Sequence, residues 1–167
     1  MLRAATASAV VLAGLFAARP PVSSGPRNAL PVAVHNDNLR SAGTLSRGVL
    51  KVSLELSEVT WRPLGPERAG TDVYAFAEAG RPAELPGPML RVPLGTVVRA
   101  TVSNRLDVAV QVHGLASRQT TSMDSLLLQP GESREVRFTA DAEGTYFYWA
   151  AKVGTSDAPT QIAAKIR

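Results

Sequence analysis

From Val49 onward the chain alternates apolar and polar side chains at every second position. In VLKVSLEL, residues 49–56, Leu50, Val52, Leu54 and Leu56 fall on one side and Lys51, Ser53 and Glu55 on the other, the period of a half-buried strand. The same pattern predicts strands in DVYAFAEA (72–79), VAVQVHGL (108–115), REVRFTA (134–140) and TYFYWAA (145–151). It also predicts a pair at Met89–Val92 and Val97–Val102, with a hairpin turn at Leu94-Gly95 between them. No stretch has a helical period. Six or seven short strands joined by Gly and Pro turns predict an all-β fold, a Greek-key antiparallel β-sandwich, with a small barrel as the alternative.

The rest of the chain divides by composition. Residues 1–24 carry one early charge, Arg3, and then an uncharged, mostly apolar run from Ala4 to Ala18 before Pro20 and Pro21. This is the layout of a secretory signal peptide, too short for a membrane span, and it predicts export to a periplasmic or extracellular space with no stable membrane anchor. Residues 25–48 shift to Pro, Asn, Ser, Arg and Gly without period, a leader that lies along the fold or stays free of it. His35 sits in this leader and reads as a solvated side chain. The sandwich is expected over residues 49–155. Residues 156–167 are expected to be a tail or an incomplete closing strand in which Ile162 and Ile166 could bury, as in a fragment of a longer protein.

Charge and residue usage exclude several kinds of chemistry. The formal net charge is +4, yet the arginines recur singly with no basic block, so no nucleic-acid partner is expected. The absence of cysteine excludes disulfides, thiolate metal sites and a Cys nucleophile. Ser122, Ser125, Asp107 and His113 lack the strand-turn-helix setting of a hydrolase nucleophile.

The strand GTYFYWAAK, residues 144–152, places Tyr146, Tyr148 and Ala150 on one face and Phe147, Trp149 and Ala151 on the other. Its neighbours give it a context. PGPMLRV at Pro86–Val92, the Gly95 turn, Asn104-Arg105-Leu106, HGL at His113–Leu115, MDS at Met123–Ser125, PGES at Pro130–Ser133 and GTY at Gly144–Tyr146 follow in one order. Each has a local reason. Pro130 and Gly131, for instance, suit the central positions of a type II turn. Their joint order resembles the N-terminal cupredoxin, or plastocyanin-like, domain of multicopper oxidases over roughly residues 50–155.

That resemblance implies a cupredoxin-like sandwich, copper as cofactor and further cupredoxin domains of a longer parent chain as partners. In the family, two His-x-His pairs on neighbouring strands help hold a copper cluster in the cleft with another domain. Carried over by position, the pairs fall on Gln111 and His113 and on Trp149 and Ala151. Only His113 retains an imidazole. Gln111 offers a neutral amide, and indole and methyl groups are not ordinary ligands. The expectation is a degenerate module that is inactive alone, with Trp149 packing in the core or cleft and Gln111 a candidate acceptor for its N–H. The alternative is a self-sufficient exported binding or copper-handling module using His113, Met123 and Asp124, since thioether and imidazole suit Cu(I).

Overall fold

A computed structural model describes residues 29–117 and 125–154, and the backbone of 161–166. The signal-peptide residues 1–24, and Ser122, Met123 and Asp124, lie outside the described residues. Among the described residues no helix is long and apolar enough to cross a membrane.

The strands are β1 (Val34–His35), β2 (Thr44–Ser46), β3 (Val49–Trp61), β4 (Thr71–Glu78), β5 (Glu84–Leu85), β6 (Val97–Asn104), β7 (Val110–His113), β8 (Ser125–Leu128), β9 (Ser133–Thr139), β10 (Tyr146–Lys152) and β11 (Gln161–Ile166). Two sheets face each other. One is five-stranded, in the order β2-β3-β6-β9 with β4 also on β3, and the other is four-stranded, β11-β10-β7-β8. Most pairs are antiparallel, whereas β3 and β6 run parallel over Val49–Ser53 and Val97–Thr101.

The alternation read in the sequence is what closes the sandwich. Leu50, Val52, Leu54 and Leu56 of β3 and Val98, Ala100 and Val102 of β6 meet Val110, Val112, Leu128, Tyr148 and Ala150 of the opposite sheet in one buried cluster. Its largest members are Tyr148 and Phe76, both 0% exposed, with rings edge-to-face at 5.1 Å. Burial of side chains this size contributes about 1.5–3 kcal/mol each. The Tyr148 hydroxyl would be costly there unpaired, and it donates to the Pro88 carbonyl at 2.6 Å. Burial raises its pKa well above the ordinary tyrosine value.

The leader lies along the fold from Ala29 onward. β2 pairs with β3 and β1 with β5, and Ala33 joins Val59, Ala75, Ala77 and Ala83 in a second small core on the outer side of β3 and β4. Glu78 fastens this layer: its carboxylate accepts from the Gly43 N–H at 2.8 Å and from Arg40 Nη1 at 2.6 Å. His35 is exposed, with its ring 6.4 Å from that of Trp61.

Two local expectations are revised. Met89–Val92 is not a strand of a hairpin. Met89 makes a single bridge to Ser41, and Met89 and Leu90 are both 1% exposed, so two successive side chains enter the core where a strand would send one of them out. Gly95, at φ 84, accordingly turns the chain into β6 rather than closing a hairpin. β8 was not anticipated, because SLLL has no alternation. At the C-terminal end, Gln161–Ile166 runs antiparallel along β10, so β10 has neighbours on both sides.

Two motif residues owe their identity to this geometry. Asn104, 0% exposed, ends β6 and joins three segments. Its Nδ2 donates to the carbonyls of Val108 at 2.8 Å, Leu128 at 3.2 Å and Gln129 at 3.2 Å, while its Oδ1 accepts from the Leu106 N–H. The turn it braces is closed by the Glu132 N–H donating to the Gln129 carbonyl, with Gly131 at φ 74, the type II geometry expected from PGES.

Candidate functional site

β7 and β10 lie side by side and antiparallel, with Trp149 opposite His113 and Ala151 opposite Gln111. Because side chains two apart share a face, the four positions singled out in the sequence form one quadrilateral on the outer side of the four-stranded sheet. Their neighbours Val112, Tyr148 and Ala150 point the other way, into the core.

Within the quadrilateral the side chains are already engaged with one another. The His113 and Trp149 rings stack at 4.1 Å between centroids with 16° between planes. Gln111 Nε2 donates to Ser125 Oγ on β8 at 2.6 Å. The hydrogen bond considered from the sequence, Trp149 N–H to Gln111, is therefore replaced by another arrangement. Register puts Trp149 against the imidazole, and the amide turns to the opposite neighbour strand. Trp149 packs on the outer face against His113 and is not part of the core. Ser125 serves as the amide's partner, and Asp107 is exposed.

Desolvation lowers the His113 pKa from its ordinary value, which favours the neutral imidazole. The strand continues into Gly114 at φ 80, where an added Cβ would sit on the Phe147 carbonyl oxygen and 2.9 Å from the Tyr148 Cα. The glycine of HGL thus lets β7 leave the sheet in close contact with the β10 backbone, and this contact keeps His113 beside Trp149.

These four positions by themselves do not fit copper. One neutral imidazole covered by an indole, an amide committed to a hydroxyl and a methyl group cannot supply several strong ligands in fixed geometry. Among the described residues no group of three or more His, Cys, Asp or Glu side chains is placed to hold a metal.

Two packed sheets of this strand order define a cupredoxin-type domain. The family model described as multicopper oxidase matches residues 79–164, about half of the chain, and the chain belongs to that family. Among curated proteins it is similar to L-ascorbate oxidase of Cucumis sativus, 35% identical over 74 residues, covering 39% of this chain and 13% of that protein. It is also similar to dihydrogeodin oxidase of Aspergillus terreus, 30% identical over 110 residues, covering 60% of this chain and 17% of that protein. Among solved structures, the multicopper oxidase of the hyperthermophile Aquifex aeolicus superposes with a TM-score of 0.55 at 18% identity, over 83% of this chain and 28% of that one. This last likeness is one of fold.

Proposed function

We propose that this chain serves as a multicopper-oxidase-type cupredoxin module whose ligand face packs against protein instead of coordinating copper. The stacked His113–Trp149 pair carries this reading. The indole stands at the position opposite the remaining imidazole, where the family's pattern has another histidine. Metal affinity depends on several ligands held together, and a single imidazole supplies one bond.

The same face presents apolar surface. Phe147 is 59% and Leu127 44% exposed, and each shares a face with Trp149 or Gln111. The buried core of a protein interface is more apolar than its rim and enriched in aromatic residues. The partner supported by the family is a second cupredoxin domain in a longer parent protein, with the oxidase chemistry in regions beyond these residues. The apolar run over residues 4–18 supports export of that parent.

Copper analysis of the dialysed chain beside a His113→Ala variant tests the reading. The expected result is copper far below one equivalent in both proteins and no oxidation of phenolic or metal-ion substrates. One tightly held copper per chain, lost in the variant, would overturn it in favour of a copper-handling module.

A further inference from the structure

The sequence shows no basic block, but the fold assembles one. On the five-stranded sheet Lys51 of β3 is the direct partner of Arg99 on β6, and Arg99 that of Arg137 on β9. Thr44 of β2 extends the row on the other side of Lys51. Successive members of such a row stand about 4.8 Å apart along the hydrogen-bonding direction. The three cationic side chains are exposed and line, with Arg47, a shallow groove of about 480 Å³ floored by Val49 and Val97.

Like charges placed directly opposite on neighbouring strands destabilise a sheet, and here two such juxtapositions are consecutive. One carboxylate answers them among the described residues: Glu135 pairs with Arg99 through contacts of 2.9–3.1 Å. Arg47, Lys51 and Arg137 enter no described salt bridge. The outward residues around the row include alcohols beside Glu135, Val49 and Val97: Ser53 and Thr101 in the register that Glu135 completes, Thr139 opposite Val97 and Ser133 opposite Ser103.

We propose that this face binds a linear acidic polysaccharide, its sulfate or carboxylate groups taken by Lys51, Arg99 and Arg137 and its hydroxyls by the flanking serines and threonines. The surroundings select this class among polyanions. Single-stranded nucleic acid calls for aromatic platforms, and among the described residues no aromatic side chain lines this groove. Duplex DNA calls for a helix or ribbon that enters a groove, and this surface is the broad side of a sheet. A membrane-surface site calls for protruding apolar side chains, whereas Val49 and Val97 are half-buried at the floor.

The full chain is titrated with dextran sulfate and, separately, with neutral dextran of the same length, followed by calorimetry at low and at raised salt. Binding is expected for dextran sulfate alone, weakening as salt screens the row. The K51A/R99Q/R137Q variant is expected to lose about tenfold or more in affinity, as for a site of exposed ion contacts. R137Q alone, a milder change, is expected to lose part of it. An R62Q/R68Q/R91Q variant, with the same change in net charge outside the row, is expected to bind as the parent does. Equal losses in the two triple variants would reduce the effect to net charge and overturn the site. Tighter binding of a single-stranded DNA oligonucleotide, or of vesicles rich in anionic lipid, would overturn the assignment to polysaccharide.

Discussion

The imidazole of His113 and the indole of Trp149 are cross-strand partners whose rings lie 4.1 Å apart and nearly parallel. Two aromatic faces in contact, with Gln111 bonded away to Ser125, make these four positions a packed surface. Beneath them the paired backbone of β7 and β10 sets His113 beside Trp149 and Gln111 beside Ala151.

That backbone makes a gain-of-function test direct. Gln111→His, Trp149→His and Ala151→His together would set two His-x-His pairs on adjacent strands in register. The triple variant is expected to bind Cu(II) with an affinity at least about a hundredfold above the parent chain, since added ligands in fixed geometry dominate affinity. Calorimetric titration with Cu(II) checks it. Unchanged affinity would mean that the four side chains do not converge.

Asn104 is expected to be a stability determinant out of proportion to its size. Asn104→Ala removes the donor to three carbonyls and the acceptor for the Leu106 N–H in a fully buried position. Leaving such groups unpaired costs about 1–3 kcal/mol per group, so a loss of about 3 kcal/mol in urea unfolding is expected. A loss under about 1 kcal/mol would mean that the turn at Gln129–Glu132 holds without it.

Gly114→Ala is expected to disrupt the β7–β10 junction. The new methyl group would meet the Phe147 carbonyl, and the backbone there has φ 80. A left-handed non-glycine residue alone costs about 1–3 kcal/mol, and the backbone contact adds to it. Loss of cooperative unfolding, or a Tm drop well beyond that of a Gly80→Ala control with open space around it, is the expected readout.

Acid is expected to loosen the leader through Glu78. Covering this carboxyl from water opposes its ionisation, but the Gly43 N–H and the Arg40 and Arg81 guanidinium groups more than offset this and lower its pKa from the ordinary value. A carboxylate with a lowered folded-state pKa contributes stability that is complete above its unfolded value, about 4.3. That contribution is lost as pH falls through the lower folded value. Glu78→Gln should therefore cost about 1 kcal/mol at pH 7 and little once the pH has fallen below the lowered folded value. Urea titrations across that range, with hydrogen exchange at Gly43 as the local probe, check both limits.

The strands with one buried face were legible because burial imposes a period of two, and Val49–Leu56 shows this without ambiguity. Met89 and Leu90 misled the same rule, since both enter the core. SLLL in β8 gave no period at all, with Leu128 buried and Leu127 exposed in a run of identical residues. The four positions at Gln111, His113, Trp149 and Ala151 were readable through motif order. Their partners were not, because cross-strand register decides that Trp149 meets His113 and not Gln111. The basic row escaped notice for a related reason: Lys51, Arg99 and Arg137 are far apart in sequence, and pairing through β6 alone makes them neighbours.

The parallel pairing of β3 with β6 bears on how the chain reaches this structure. β3 and β4 can zip from the loop between them, as can β7 with β8, but Val49 meets Val97 only after the whole intervening segment has looped back. Closing that loop is entropically costly before any contact rewards it. Sheets dominated by such pairings fold in milliseconds to seconds rather than microseconds. Until β6 docks and the opposite sheet closes over this face, Leu50, Val52 and Leu54 stand uncovered. This interval between hairpin formation and β6 docking is when the chain is most open to aggregation or to the hold of a chaperone.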